Sequence, residues 1–261
     1  MLLKNKNAVV YGAGGVIGGA GARAFAREGA RLFLAGRTRA KLDAVARDIA
    51  GAETAQVDAL DEQAVQQHAD DVMARSGSID IALNAVGVFH VQGAPLAELS
   101  LEDYFYPVAA YARTHFITAK AVARHMAKQR SGVILALSTP ASLMPGPGFL
   151  GHSVACAGIE ALTRHLAAEL APSGIRVVCI RSNAIPETVA QGSHAREVFS
   201  QVADRAGITV EQMLAGGAQG TLLKRLPTLA EVANTAVFLA SEHAGAMTGA
   251  IANLTCGMIL D

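Results

Sequence analysis

An imidazole and a thiol stand four residues apart in the segment Gly151-His152-Ser153-Val154-Ala155-Cys156. If this segment is helical, His152 and Cys156 lie on the same face, one turn apart. An imidazole titrates near neutral pH and can act as an acid or a base. A Cys–His pair can also form a thiolate–imidazolium nucleophile, although a small cysteine on a helix is more often a packing residue. His152 is therefore a candidate for substrate binding or proton transfer, or else a residue that only lines a pocket.

A second chemical signature lies near the start of the chain, in Tyr11-Gly12-Ala13-Gly14-Gly15-Val16-Ile17-Gly18. It follows an apolar run typical of a buried strand and precedes a helical pattern. Glycines in such a turn let the backbone approach a pyrophosphate, which then faces the N–H groups at the helix N-terminus. The segment predicts a dinucleotide site, and a packing turn without a ligand is the alternative.

The next predicted strand ends in Ala35-Gly36-Arg37 and carries no carboxylate there. A carboxylate at this point would accept hydrogen bonds from an adenosine ribose and repel a 2′-phosphate. Gly36 instead leaves room, and Arg37 offers a guanidinium fork to a phosphate. We therefore expect NADP(H) to be favoured over NAD(H), with a solvated charge at a helix start as the alternative reading of Arg37.

Predicted strands and helices, which must position these residues, alternate along the chain. The predicted strands cover residues 8–11, 31–35, 55–57, 79–83, 133–137 and 176–180, and the predicted helices 16–28, 41–49, 61–75, 101–129 and 153–170. Such alternation with short turns predicts one α/β domain over residues 1–261, a Rossmann-type doubly wound parallel sheet of about seven strands with helices on both faces. Residues 182–226 are rich in glycine and small residues, and we expect them to form an irregular substrate lid.

Composition excludes several other classes of protein. Half of the residues are hydrophobic (51%) and 17% are charged, so a large core can form. The net charge of zero, without a basic block, argues against a nucleic-acid partner. No apolar run reaches the roughly 18 residues of a membrane span, and the polar N-terminus does not resemble a signal peptide. Cys156, Cys179 and Cys256 are far apart, which predicts reduced thiols in the cytoplasm and no metal site.

Together these motifs resemble the short-chain dehydrogenase/reductase family. Gly12 and Gly18 match the first and last glycines of its TGxxxGxG pattern, and Val16 stands at the middle glycine. Asn84 and Gly87 match the family's NNAG segment after the fourth strand. Further family-like segments occur at residues 158–164 and 247–249. The resemblance covers nearly the whole chain and implies an NAD(P)-dependent oxidoreductase.

The family's catalytic residues are largely replaced by unlike types. Its Tyr, which exchanges a proton with the substrate oxygen, corresponds to His152, and its Lys, which holds the nicotinamide ribose, corresponds to Cys156. Its Ser, thirteen residues before the Tyr, corresponds to Thr139, with Ser138 as the neighbouring option. Its Asn in the long helix falls at Ala110. The resemblance thus implies an atypical set in which Thr139 or Ser138 acts with His152.

The resemblance also implies cofactor contacts beyond the glycine loop. Asp58 corresponds to the residue that touches the adenine amino group, and it could equally cap the next helix. Ile185 can offer its N–H to the nicotinamide end and Thr188 its hydroxyl to the pyrophosphate, although the family's Pro-Gly is missing. The predicted cofactor-binding residues are Gly12, Gly14, Gly15, Val16, Ile17, Gly18, Arg37, Asp58, Asn84, Gly87, Ile185 and Thr188.

Substrate and assembly are the least specified features. Residues 144–149, with Phe89, Met213 and Leu214, are predicted to form an apolar pocket wall, which suggests an apolar small-molecule substrate. His90 and His115 could also approach this pocket, although lone histidines are usually structural or solvated. The family implies a homodimer or homotetramer.

Three readings of the function follow. The leading one is an NADP(H)-dependent oxidoreductase of a carbonyl or enoyl small molecule, because hydride transfer mainly needs the two reactants held face to face. The missing Tyr, Lys and Asn favour instead a dinucleotide-binding protein without turnover. A third reading is non-redox chemistry, such as elimination or cyclisation, that uses His152 in the cofactor cleft.

Overall fold

A computed structural model describes residues 1–260. The strands are β1 (Asn7–Tyr11), β2 (Arg31–Gly36), β3 (Glu53–Gln56), β4 (Ile81–Asn84), β5 (Gly132–Ser138), β6 (Ile175–Ser182) and β7 (Ile251–Leu254). The α-helices are α1 (Val16–Arg27), α2 (Arg39–Ala46), α3 (Glu62–Ser76), α4 (Leu101–Gln129), α5 (Leu150–Leu170), α6 (Pro186–Ala190), α7 (His194–Ala206), α8 (Val210–Gln219) and α9 (Leu229–Ala240). The predicted alternation is therefore confirmed.

The seven strands form one sheet in the order β3-β2-β1-β4-β5-β6-β7, and every neighbouring pair is parallel. Chain order reverses between β1 and β4, so the connections after these strands leave on opposite faces of the sheet. A crevice opens at the carboxyl ends of the strands at such a point, and ligands bind there in doubly wound folds. The predicted Rossmann-type fold class is confirmed.

Helices cover both faces of this sheet, each over its own apolar cluster. On one face, α1 packs over β1 and β2 and α9 packs over β5 and β6, through residues such as Phe25 and Val237. On the other face, α4 packs over β4 and β5 with α3 beside it, through residues such as Val122 and Val65. Because both faces are covered, the central strands read as continuous apolar runs. These runs are what made the strands recognisable in the sequence.

Two glycines fix the turn between β1 and α1. Gly12 has a φ of +79°, and a Cβ built there would lie 2.6 Å from the carbonyl carbon of Ala85. A Cβ on Gly18 would lie 2.3 Å from the carbonyl oxygen of Gly12. Any side chain at either position would therefore collide with backbone, so glycine is needed both for the turn and for close packing of α1 on it.

The structure corrects two expectations about helices. Helix α5 begins at Leu150, three residues before the predicted start, because Gly151 is a contact residue and not a breaker: its Cβ would lie 2.5 Å from Tyr104 O of α4. The segment 182–226 is not irregular, since it holds α6, α7 and α8. Ser193 and Thr209 cap α7 and α8 through their hydroxyls, and these local signals outweigh the glycine content.

Within residues 1–260, no helix is both long enough and apolar enough to cross a membrane. The same part of the chain contains no group of three or more His, Cys, Asp or Glu arranged to hold a metal ion. The C-terminal strand β7 lies at the edge of the sheet, paired with β6.

Candidate functional site

A cleft of about 840 Å³ runs along the carboxyl ends of the strands. It extends from the loops after β2 and β3, past the glycine-rich turn, to the region between α5 and the helices α7 and α8. Its length therefore connects the predicted cofactor residues with the predicted catalytic residues in one continuous space.

At its centre the cleft is lined by the turn before α1 and by the first turn of that helix. Gly14, Gly15, Val16 and Ile17 all face it. The first N–H groups of a helix have no acceptor within the helix and carry its positive dipole end, so this surface suits a pyrophosphate. Val16 places an isopropyl group where the family pattern has its middle glycine.

The end of the cleft beyond β2 is basic. Arg37 and Lys41 line it, and neither makes an ion pair with a carboxylate in the described part of the chain. Lys41 lies against the glycine turn, since a Cβ on Gly14 would be 2.9 Å from its Cβ. Two free cations and a small Gly36 leave this end suited to an additional phosphate.

Asp58 and Asn84 both line the cleft, but both also have structural duties. Asp58 Oδ1 accepts a hydrogen bond from Leu60 N (3.0 Å), whereas the capping of α3 falls to Asp61. Asn84 is buried; its amide donates to Thr118 Oγ1 of α4 (3.0 Å) and its Oδ1 accepts from Val86 N (3.0 Å). Asn84 therefore shapes the turn after β4 instead of reaching into the cleft.

The remaining residues that are predicted to bind the cofactor lie at α6 and in the turn after β4. Ile185 is buried at the N-cap of α6, and the Thr188 hydroxyl donates to Ile185 O (2.7 Å). Thr188 must release that bond before it can donate to a phosphate. A Cβ on Gly87 would lie 2.1 Å from the ring of His194, the first residue of α7. Gly87 thus lets the helical segment 186–219 rest on the β4 turn.

Thr139, His152 and Cys156 meet where β5 ends beside α5. Thr139 Oγ1 lies 3.1 Å from His152 Nε2 and 3.3 Å from Cys156 Sγ, and Cys156 Sγ lies 3.6 Å from the same nitrogen. A hydroxyl can accept two hydrogen bonds while it donates one. If His152 and Cys156 both donate to Oγ1, the Thr139 hydrogen remains available for a substrate oxygen in the cleft.

Burial keeps this group uncharged. It lowers the pKa of His152 to about 3, with smaller contributions from His90 and His194, and it raises the pKa of the Cys156 thiol. A thiolate–imidazolium pair needs the opposite shifts. Burial of both groups therefore disfavours the Cys–His nucleophile and favours the neutral imidazole of His152.

Ser138, the alternative to Thr139, is committed elsewhere. Its hydroxyl donates to Glu160 Oε1 (2.8 Å), and the hydroxyl of Ser142 donates to the same oxygen (2.6 Å). Arg181, which is 0% exposed, completes the cluster through Nε to Oε1 (2.8 Å) and Nη2 to Oε2 (2.7 Å). Burial alone would raise the pKa of Glu160, but the hydrogen bonds from Arg181, Ser142 and Ser138 lower it.

No sequence pattern links the residues of this cluster. Glu160 and Arg181 lie 21 residues apart on α5 and β6; Glu160 falls in the family-like segment 158–164, but nothing in the sequence pairs it with Arg181. They clamp the β5 end from both sides of Thr139, because Ser138 precedes it and Ser142 follows it in the next turn.

Tyr111 and His115 of α4 line the cleft, whereas Ala110, which the resemblance places at the family's Asn position, does not. Ala110 is buried away from it, and a helix turns about 100° per residue, so a shift of one position changes the face. Tyr111 Oη accepts a long hydrogen bond from Val88 N (3.5 Å), and burial raises its pKa to about 12. His115, one turn later, also lines the cleft and makes a hydrogen bond to Tyr111 O (2.9 Å).

The chain after β4 is extended, and its side chains are alternately buried and exposed. Val88, His90 and Gln92 are buried, whereas Phe89 is 43% exposed and does not line the cleft. The prediction of Phe89 as a pocket wall was therefore wrong, because successive side chains of an extended segment point to opposite sides. His90 does approach Thr139 and its neighbours on α5, and its ring stacks on that of His152 at 4.8 Å between centroids.

Apolar and uncharged polar side chains line the cleft away from its basic end. The charged side chains that line the cleft within residues 1–260 are Arg23, Arg37, Lys41 and Asp58, which all come from the α1, β2 and β3 side. The opposite end is lined largely by Met144, Phe149, Phe199, Val202, Met213, Leu214 and Met258.

Comparison with known proteins gives the same picture over the whole chain. A family model described as enoyl-(acyl carrier protein) reductase matches residues 12–259. The chain is 31% identical to a D-threitol dehydrogenase of Mycolicibacterium smegmatis over 95% of its length and 90% of that protein, and 30% identical to an L-xylulose reductase of Bos taurus over 98% of both. A crystal structure of NAD+-bound xylitol dehydrogenase superposes with a TM-score of 0.84 at 26% identity, covering 97% of this chain and 99% of that one.

The glycine turn, the sheet order and these full-length matches agree with one another. The chain belongs to the short-chain dehydrogenase/reductase family, whose members use NAD(H) or NADP(H).

Proposed function

We propose that this protein is an NADP(H)-dependent oxidoreductase that acts on the carbonyl or activated alkene of an uncharged, largely apolar small molecule. The observation that carries the proposal is the Thr139–His152 contact of 3.1 Å, placed in the same cleft as the glycine turn. The relatives' names, D-threitol dehydrogenase and L-xylulose reductase, support oxidation or reduction at an alcohol or carbonyl.

The catalytic group would act through neutral hydrogen bonds. The bound nicotinamide supplies or accepts the hydride. Thr139 would donate a hydrogen bond to the substrate oxygen, and its own oxygen is held by His152 Nε2 and Cys156 Sγ. The oxyanion that hydride transfer leaves on the substrate would take its proton from solvent water, and oxidation would return that proton to water. Because its imidazole is neutral, His152 polarises this oxygen as an N–H donor and not as a cation, as neutral imidazoles can in other enzymes.

Preference for NADP(H) is supported by the two unpaired cations at the β2 end of the cleft. Arg37 and Lys41 can each reach toward a 2′-phosphate, and no carboxylate at the end of β2 would repel it. The N–H of Ile185 remains a candidate for the nicotinamide end of the same cofactor, and the Thr188 hydroxyl remains a candidate for its pyrophosphate.

The residues that line the cleft beyond His152 support an uncharged, largely apolar substrate. The apolar wall of this end and its lack of charged side chains among the described residues would leave a carboxylate or phosphate unpaired and costly to bury. We propose that residues 182–226, through α6, α7 and α8, form the lid over this end, since Val202, Met213 and Leu214 line it from that side.

The same proposal includes a homodimer or homotetramer. Large apolar side chains are exposed along α4 and α5, at Leu101, Phe105, Tyr106, Phe116, Leu150 and Val154. Light scattering is expected to give twice or four times the chain mass of 26.9 kDa. A stable monomer would contradict this part of the proposal.

Calorimetric titration with NADPH and separately with NADH tests the cofactor, and reduction of neutral aryl ketones and enones tests the chemistry. We expect tight binding of NADPH, weaker binding of NADH, and turnover that falls roughly 100-fold in Thr139→Val, because that variant removes a hydrogen bond to developing charge. The matched control is Thr139→Ser, which keeps the hydroxyl. Binding without turnover on any substrate would favour the non-catalytic dinucleotide-binding reading, and no binding of either cofactor would exclude both.

A further inference from the structure

His152 has its shortest polar contact at Nε2 and an imidazole on its face, and Cys156 Sγ also lies 4.0 Å from its Nδ1. Its Nε2 faces Thr139 Oγ1 and Cys156 Sγ, while the ring of His90 lies parallel to it, with an angle of 11° between planes and 4.8 Å between centroids. Hydrogen bonds at one edge leave a ring free to tilt about that edge. The stacked His90 ring removes this freedom.

His90 is itself rigidly held. Its Nδ1 lies 2.8 Å from Val88 O, and its Nε2 lies 2.8 Å from the amide nitrogen of Gln92. A carbonyl oxygen can only accept and an amide N–H can only donate, so Nδ1 carries the hydrogen and Nε2 presents its lone pair. Both bonds are satisfied only by the neutral Nδ1–H tautomer. The edge of Tyr111 closes the third side, at 6.0 Å and 78°.

The extended segment after β4 explains how the two residues come together. His90 and Gln92 are two positions apart and therefore point to the same side, and they are 5% and 4% exposed. Neither the His90 side chain nor the Gln92 side chain makes a hydrogen bond that would bind a cofactor or complete the end of a strand. Their polar atoms serve each other and the backbone of Val88, which leaves the ring face of His90 as their contribution to the cleft.

We propose that His90 and Gln92 are positioning residues for His152: they hold a fixed neutral imidazole against its ring and so keep its Nε2 directed at Thr139. His90 and Gln92 suit a histidine at position 152, because the neutral His90 ring stacks on the neutral His152 ring without charge repulsion. His90→Phe keeps the ring stack on His152 but loses the hydrogen bonds to Val88 and Gln92, so it separates the two parts of the role.

Nitrogen-15 spectra of the histidine rings in the cofactor-free protein test the proposal without any turnover. In the wild type we expect His90 as the Nδ1–H tautomer. In His90→Ala the His152 ring signals should shift, because the ring loses its platform, and in His90→Phe they should return close to their wild-type positions. In Gln92→Leu the His90 signals should show exchange between both tautomers. Unchanged His152 signals in His90→Ala would overturn the proposal.

Kinetics give the second arm, which rests on the proposed function. His90→Ala should lower kcat roughly 10-fold through misplacement of the hydrogen-bonding group, with the NADPH Kd unchanged, and His90→Phe should recover most of it. His68→Ala is the control, since His68 is also a buried histidine beside a tyrosine ring but lies outside the cleft. If the wild type reduces no substrate, the spectra alone decide, so failure of the activity and failure of the positioning role are separable.

Discussion

The buried ion pair beneath the candidate site predicts a large and specific loss of stability. Arg181 is 0% exposed and donates to both oxygens of Glu160, whose side chain is 3% exposed. Arg181→Met would leave that carboxylate buried with its two serine donors but without its main cation. Removal of one partner of a buried pair costs about 3–5 kcal/mol.

This cost converts into a measurable shift in Tm. With an unfolding entropy of about 2.1 cal/mol/K per residue, a chain of 261 residues loses roughly 2 °C per kcal/mol. Differential scanning calorimetry at pH 7 should therefore show a decrease of about 6–9 °C for Arg181→Met. The double variant Glu160→Gln/Arg181→Met should recover most of this, because the neutral amide still offers an oxygen to Ser138 and Ser142.

The control is the Arg225–Glu231 pair, which has the same chemistry and similar distances (2.8 and 2.7 Å) but is 47% and 43% exposed. Solvent screening makes such pairs weak, so Arg225→Met should change Tm little. An equal Tm for Arg181→Met and Arg225→Met would refute the reasoning from burial. A double variant as unstable as the single one would show that the guanidinium stabilises through packing and not through its charge.

Four further predictions follow from the same contacts. The pKa of Glu160 is lowered in the folded state, so the stability that this carboxylate contributes is present above its pKa in the unfolded chain and is lost as the pH falls below roughly 4. Acid titration of Tm should show this loss in the wild type and not in Glu160→Gln/Arg181→Met. Because His152 has a pKa of about 3, kcat should stay flat from pH 6 to pH 9, and an acid limb near pH 6.5 would contradict a neutral His152. Val16→Gly should strengthen NADPH binding in calorimetry, because it restores backbone access to the pyrophosphate, whereas Val210→Gly, also at the first position of a helix, should not. A thiol reagent should label Cys256 in the native protein and reach the buried Cys156 and Cys179 only after unfolding; rapid native labelling of Cys156 would revive the nucleophile hypothesis.

Fold and cofactor turn could be predicted from the sequence because both depend on local signals. Buried parallel strands need continuous apolar runs, and the turn after β1 needs glycine where a Cβ would meet backbone at 2.3 Å or 2.6 Å. These requirements act on the residues themselves. Periodicity therefore gave the order of the elements, and the glycine spacing gave the position of the dinucleotide site.

The tertiary structure decided how the divergent residues are used. Only the rotation of α4 puts Tyr111 in the cleft and turns Ala110 away, and only the extended chain after β4 brings His90 onto His152 while Phe89 faces out. Our proposal of Thr139 instead of Ser138 depends on the bond from Ser138 to Glu160, which Arg181 holds and which is distant in sequence. Hydrogen bonds, stacking and the low pKa of His152 all arise from partners on other elements, and a linear pattern does not contain those distances.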